Sequence, residues 1–268
     1  MHLKRWITGL IALPFLIFFV YRGGILFFLL VAAAAVGSLW EYFRIVLKQD
    51  ETVRSALSIL AALSALLIVG SAYLGSGDGM AGAVVFNLLA AGLVTIAVFN
   101  RRPDAPELLK NQILGVAYVP LLLAYLVLLR NEPDGMRWIF YLLAIVFAGD
   151  TSALYVGTVI GRRKLCPAVS PGKTVEGSLG GLGANLCVGL LGRWLFFPDL
   201  PLLPAVLFYT SVGLAGQIGD LFESTLKRVS RIKDSGTILP GHGGLLDRLD
   251  ALMFAAPVAY FFKAYIFI

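Results

Sequence analysis

A chain of 268 residues that is 59% hydrophobic and 14% charged, with a mean hydropathy of +0.85, has too little polar surface to fold as a water-soluble globule. Its net charge of +6 and pI near 9.4 raise nucleic acid as a partner, but the basic residues are spread through short segments between apolar runs. That spacing suits anionic lipid headgroups and argues against nucleic acid. The two cysteines, Cys166 and Cys187, offer no disulfide framework and no metal-type Cys/His spacing.

A helix needs roughly 20 residues to cross about 30 Å of hydrocarbon. Apolar runs approaching that length predict about nine transmembrane helices, at residues 6–20, 25–46, 56–74, 82–99, 112–129, 138–160, 179–197, 203–221 and 249–267. The predicted fold class is therefore an all-α polytopic membrane protein. The first run, flanked by Lys4 and Arg5, also has the look of a signal peptide. "FFVYRGG" contains no small-residue cleavage site, so it is read as a retained span. With nine spans most Lys and Arg residues fall in alternate loops, which predicts a cytoplasmic N-terminus and an exported C-terminus.

The chain changes character along its length. Residues 1–130 are rich in Ala, Leu, Val and Gly with thin connections, and read as a packing region. "YLGSGDGMAG" reads as a tight external turn, and the prolines of "RRPDAPELLK" end the fourth span. Residues 131–268 carry polar groups inside spans and two long cytoplasmic loops, 161–178 and 222–248, and read as the catalytic region. No internal repeat is evident, so an inverted-repeat transporter finds no support.

Carboxylates in or at the ends of the predicted spans include Glu41, Asp150, Asp220 and Glu223. A carboxylate in hydrocarbon is costly and normally faces a partner or a polar cavity. Glu41, in "WEYFR", has Arg44 three residues on, which suits a local helix pair. Asp220 and Glu223 lie three apart before the second loop, and Asp247 and Asp250 repeat that spacing at the start of the last helix. Two helix ends can thus gather up to four carboxylates, a charge density that calls for cations. Magnesium with bound phosphate is the natural compensation, because it combines one or two carboxylates with substrate phosphates.

Between those carboxylates stand Lys227, Arg228, Arg231 and Lys233, then His242 in "PGHGG" with Gly243 and Gly244. Basic side chains neutralise phosphate oxygens and glycines let backbone N–H groups approach an anion. The other loop, "RRKLCPAVSPGKTVEGSLGG", brings Ser170, Lys173, Thr174 and Glu176 to a helix N-terminus, itself a phosphate-binding place. Its Gly-Lys-Thr triplet is not a P-loop, since the leading glycine and the preceding strand are absent. Asp150, in "AGDTSALYVG", adds a polar position suited to a cavity. This equipment is that of phosphoryl or nucleotidyl transfer.

The stretch "STLKRVSRIKDSGTILPGHGGLLDRLD" resembles the signature of the phosphatidate cytidylyltransferases, also called CDP-diacylglycerol synthases. The residues that carry the resemblance are Ser224, Leu226, Lys227, Arg228, Lys233, Asp234, Gly236, Leu239, Pro240, His242 to Leu245, Asp247, Arg248, Leu249 and Asp250. "SPGKTVEG" and "GDTSALYVG" extend it, with departures at Gly172, where relatives carry a basic residue, and at Ser152, where they carry glycine. The resemblance implies transfer of CMP from CTP to phosphatidic acid, releasing pyrophosphate, in a bacterial inner membrane with the site facing the cytoplasm. It implies Asp220, Glu223, Asp247 and Asp250 around magnesium, with room for a second cation. Lys227, Arg228 and Arg248 then join Asp220, Asp247 and Asp250 in catalysis. Asp150, Ser170, Lys173, Thr174, Glu176, Ser224, Lys233, His242, Gly243 and Gly244 serve substrate binding. Alternatives are a related membrane enzyme that uses CTP on another lipid phosphate or on a lipid alcohol, and a transporter of anionic solutes. A homodimer through the N-terminal half is compatible with the pattern.

Overall fold

The computed structural model describes residues 2–47, 51–232, 235–236 and 243–267, with side chains described from Ala12 onward except at 48–55. Ten helices occur among them: α1 His2–Arg22, α2 Gly24–Val46, α3 Glu51–Tyr73, α4 Gly77–Val98, α5 Ala105–Tyr118, α6 Pro120–Asn131, α7 Gly135–Val159, α8 Val175–Phe196, α9 Leu202–Val229 and α10 Leu246–Tyr265. Among the described residues, seven apolar segments are long enough to cross a membrane: α2, residues 56–73 of α3, α4, the α5–α6 pair, α7, α8 and α9. Of the other two predicted spans, the first contributes only the shorter apolar stretch Ala12–Arg22 among the described side chains, and α10 opens on Asp247, Arg248 and Asp250. Lipid contact explains why Leu93, Ile96 and Leu89 on α4 are 69%, 74% and 63% exposed, a state that water would not tolerate on this scale.

The chain divides into two compact units, residues 1–131 with 232–247, and residues 132–231 with 248–268. Residues 232–247, grouped by sequence with the C-terminal region, thus cluster with the first unit.

In the first unit the core is built from Leu39, Tyr42, Phe43, Ile45, Ile68 and Leu123, all fully buried. Asn87 on α4 donates to the Ser64 hydroxyl on α3 at 2.9 Å, a buried polar tie within the apolar contact. Such ties contribute about 0.6–2 kcal/mol each, so close packing carries most of the association. Arg130 at the end of α6 donates to the carbonyls of Val20 and Tyr21, which capping at the C-terminus of α1 requires. The predicted fifth span is broken at Pro120, which has no N–H to continue the helix from α5 into α6.

The second unit is organised by glycines. Gly177, Gly181, Gly189 and Gly192 form a buried stripe along α8. Three of them leave no room for a side chain: a Cβ on Gly177 would strike the Ala153 carbonyl of α7, and one on Gly189 or Gly192 would strike the ring of Tyr209 or Tyr141. Close backbone approach of this kind is the usual route to helix pairing in lipid. The Tyr141 hydroxyl donates to the Gly189 carbonyl at 2.5 Å and lies 2.7 Å from the Tyr209 hydroxyl. Around them Trp138, Phe197, Phe208 and Phe267 make an aromatic core.

Two boundaries differ from the sequence prediction. α9 runs on to Val229 rather than stopping at 221. Its 28 residues extend about 42 Å, beyond the hydrocarbon thickness, and Lys227 and Arg228 complement the partial negative charge of its last turn. The loop at 161–178 contains a short antiparallel hairpin, β1 Lys164–Cys166 and β2 Ser170–Thr174, in which Lys164 faces Thr174 and Cys166 faces Ser170. Strands of three and five residues, the longer one containing Pro171 and Gly172, leave no periodic signal to read.

Candidate active site

Within the second unit, α7, the hairpin, α8 and α9 converge on a cavity of about 420 Å³. α7 contributes Asp150, Ala153, Leu154 and Gly157, which the i, i+3, i+4, i+7 spacing sets on one helical face. α9 contributes Gln217, Asp220 and Leu221 by the same rule, and the hairpin contributes Ser170 and Lys173. Its wall is largely apolar, with the charged groups gathered together.

The charges are arranged in pairs. Lys173 Nζ lies 2.6 Å from Asp220 Oδ2, joining the hairpin to α9. Asp150 feels both Asp220 and Lys173. Asp250 feels Asp220 first, then Asp150 and Lys227. Asp250 comes this near because α10 crosses α9 at Gly219, where a Cβ would strike the Asp250 carbonyl. Glu223 is fully buried, and its Oε2 lies 2.5 Å from Lys227 Nζ one turn on. A buried carboxylate without such compensation would destabilise the helix by several kcal/mol, roughly.

The hairpin is braced at its base. Thr174 caps α8, its hydroxyl accepting the Gly177 N–H at 3.1 Å. Glu176 turns back and accepts the N–H groups of Arg162 at 3.0 Å and Arg163 at 3.2 Å. Arg228 donates from Nε to the Val169 carbonyl at 2.8 Å, tying the end of α9 to the hairpin turn. Ser170, Lys173 and Thr174 line the cavity, and Thr174, Glu176 and Arg228 also brace the hairpin. Ser224 is buried in α9 beside Glu223.

Other predicted residues belong to a second setting, in the first unit. Asp247 Oδ2 accepts the backbone N–H groups of Ser235 at 3.0 Å and Gly244 at 2.9 Å. Gly243 adopts φ +84°, a conformation that favours glycine. Arg248, already in the second unit, is exposed in the first turn of α10. Lys233 and His242, with Asp234, Leu239 and Pro240, lie outside the described residues.

Among the described residues, no three His, Cys, Asp or Glu side chains converge to hold a metal ion unaided. The donor set still suits magnesium, which takes one or two carboxylates and otherwise relies on phosphate oxygens and water. Asp220 and Asp250, close and mutually repelling, are the pair that a cation would relieve.

Sequence reasoning overlooked Gln217 and Ser178, which line the cavity. Gln217 Nε2 donates to the Ser178 carbonyl at 3.0 Å, and its Oε1 accepts the Ser178 hydroxyl. Extending the helical face one turn back from Asp220 would have found Gln217. Glu41 was also misjudged: no ion pair joins it to Arg44 among the described residues, and the Arg44 guanidinium lies 4.7 Å over the Trp40 ring.

Comparison with known proteins covers the whole of this architecture. A protein of Bacillus subtilis (strain 168) named phosphatidate cytidylyltransferase is 31% identical over 262 residues, 97% of each chain. One of the same name from Staphylococcus haemolyticus (strain JCSC1435) is 35% identical over 261 residues, 95% of this chain and 96% of the relative. A third, from Staphylococcus aureus (strain COL), is 41% identical over 148 residues, about half of each chain. The model described as "Cytidylyltransferase family" matches residues 3–266, and with both units so covered the chain belongs to the cytidylyltransferase family.

Proposed function

We propose that this protein is a phosphatidate cytidylyltransferase, which transfers CMP from CTP to phosphatidate and releases pyrophosphate. The observation that carries the reading is identity of 31–35% across nearly the full chain to proteins of that name. The cavity agrees with it chemically. Its lysine, and its carboxylates through a cation, suit a nucleoside triphosphate, and its apolar wall of Leu154, Leu165 and Leu221 suits the acyl part of a lipid.

In the reaction a phosphate oxygen of phosphatidate attacks the α-phosphorus of CTP. The new P–O bond forms as the bond to the pyrophosphate oxygen breaks, and the electron pair leaves on pyrophosphate. The attacking phosphate is already ionised at neutral pH, so no general base is required. Positioning and charge stabilisation supply the catalysis. Lys173, now paired with Asp220, exchanges that partner for a phosphate oxygen, with Ser170 as a neighbouring donor. Lys227, Arg228, Arg248 and Lys233 are assigned to further phosphate oxygens, and Gly243, Gly244 and His242 to contact with the pyrophosphate. Asp220, Asp250 and Asp247 are the proposed magnesium ligands. Glu223 is a fourth candidate that must first release Lys227. A magnesium ion held by these carboxylates would neutralise triphosphate charge and make the α-phosphorus more electrophilic.

The distribution of Lys and Arg supports an N-terminus and an active site on the cytoplasmic side, in the inner membrane of a bacterium. A homodimer and the absence of a nucleic-acid partner complete the reading; light scattering in detergent and a filter-binding assay test them.

The decisive experiment uses purified protein in detergent, α-labelled CTP and dioleoyl phosphatidic acid, with label followed into the organic phase. Magnesium-dependent transfer is expected. Protein that binds CTP yet transfers nothing to phosphatidate would overturn the proposal, and transfer to another lipid phosphate or to a lipid alcohol would redirect it.

A further inference from the structure

Glu41 lies on α2, in the part of the chain whose sequence carries little chemistry. Its side chain is fully buried. One oxygen, Oε2, accepts the backbone N–H of Leu246 at 2.8 Å and the hydroxyl of Ser235 at 3.1 Å. Leu246 opens α10, so a carboxylate borrowed from α2 satisfies an N–H that the helix itself leaves unpaired. Negative charge is also favourable at that end of a helix.

The glycines of the signature fit around this carboxylate. A Cβ on Gly236 would strike Glu41 Oε1, and a Cβ on Gly244 would strike both the Ser235 hydroxyl and Glu41 Oε2. Among the described residues, Oε1 has no hydrogen-bond partner. Ser235 is the shared member: its hydroxyl donates to Glu41 and its backbone N–H donates to Asp247. Gly244 donates to Asp247 as well. Two carboxylates from separate helices therefore grip one residue, Ser235, between them.

Packing does not explain this arrangement. A buried carboxylate costs several kcal/mol of desolvation, roughly, and an apolar side chain of similar volume would fill the space without that cost. What a carboxylate adds is direction, because it fixes one N–H and one O–H at a single point.

We propose that Glu41 is a positioning residue for nucleotidyl transfer: it fixes Ser235 and the first turn of α10, and through them sets the orientation of the Asp247 carboxylate. The inference rests on the cytidylyltransferase reading for its activity, and it gives the N-terminal helices a part in the reaction.

The test uses the full-length protein in detergent with Glu41→Gln, Glu41→Ala, Ser235→Ala, Gly236→Ala and the Glu41→Ala/Gly236→Ala double variant. Glu41→Gln keeps an amide oxygen for Leu246 and Ser235, so its turnover should stay within about threefold of wild type. Glu41→Ala should lose about 30-fold in kcat with KM for CTP nearly unchanged, the pattern of an interaction realised in the transition state. Ser235→Ala removes a single bond and should show the same split on a smaller scale, which keeps the test open if Glu41→Ala does not fold. The double variant should be no worse than Glu41→Ala, since the new methyl then has room. Amide hydrogen exchange at Ser235, Gly244 and Leu246 should quicken in Glu41→Ala and not in Glu41→Gln.

Wild-type kcat and exchange in both Glu41→Ala and Ser235→Ala would overturn the proposal, as would equal losses in the Gln and Ala variants. Failure of the wild-type protein to transfer CMP would sink the functional reading alone, because the exchange measurement would still decide whether Glu41 holds this segment.

Discussion

The carboxylates of the two units are compensated differently. In the second unit, Asp220 meets Lys173 at 2.6 Å at the cavity, and Glu223 meets Lys227 at 2.5 Å further along α9. In the first unit, Asp247 and Glu41 meet backbone N–H groups and a hydroxyl. A lysine on a flexible stem can swing to a phosphate and leave its carboxylate free for a cation. A backbone N–H cannot leave without moving the chain. The first arrangement can exchange partners as substrate arrives, and the second holds its geometry before substrate arrives.

That contrast is broken most directly at Asp220. Asp220→Asn keeps the size and one acceptor but loses the charge that pairs with Lys173, and CMP transfer should fall about 1,000-fold with the protein still folded. A variant with wild-type turnover would remove Asp220 from the reaction. Next in size is Lys227. Lys227→Met strands the buried Glu223, and equilibrium unfolding should show a loss of about 3–5 kcal/mol. Adding Glu223→Gln should recover most of it; no recovery would mean that the pair is not what stabilises α9.

Asp247 sharpens the comparison, since it combines a proposed metal role with a backbone grip. Asp247→Asn retains an oxygen for Ser235 and Gly244, so exchange at those amides should stay slow while turnover drops about 100-fold. Asp247→Ala should lose both. If the Asn variant keeps its turnover, the residue is a brace alone. The smallest effect is expected at Glu176, which holds the hairpin through the N–H groups of Arg162 and Arg163. Glu176→Ala should lower kcat/KM for CTP by about threefold, through a looser hairpin.

Much of this was legible in the residue string. Long apolar runs identify crossing helices because hydrocarbon demands length and excludes charge, and that rule needs no partner segment. The carboxylates and lysines of the site stand out for the same reason: in a chain with 14% charged residues, each polar position near a span must be satisfied. The helical faces of Asp150 and Asp220 follow from spacing alone. The hairpin at 164–174 was not legible, since so few residues carry no period, and neither was the extension of α9, which depends on the Glu223–Lys227 pair at its end.

Pairings were decided only in three dimensions. Glu41 has Arg44 within helical reach, yet its partners are Ser235 and Leu246, about two hundred residues away in the chain. Lys173 could neutralise any nearby phosphate or carboxylate, and the crossing of hairpin and α9 selects Asp220. Membrane embedding, helix number to within a few and the inventory of charged groups were determined by sequence, because hydration penalties act residue by residue. Which carboxylate meets a mobile lysine and which a fixed N–H was decided by tertiary structure, because a hydrogen bond or ion pair requires two groups within about 3 Å, and only the packed helices set that distance.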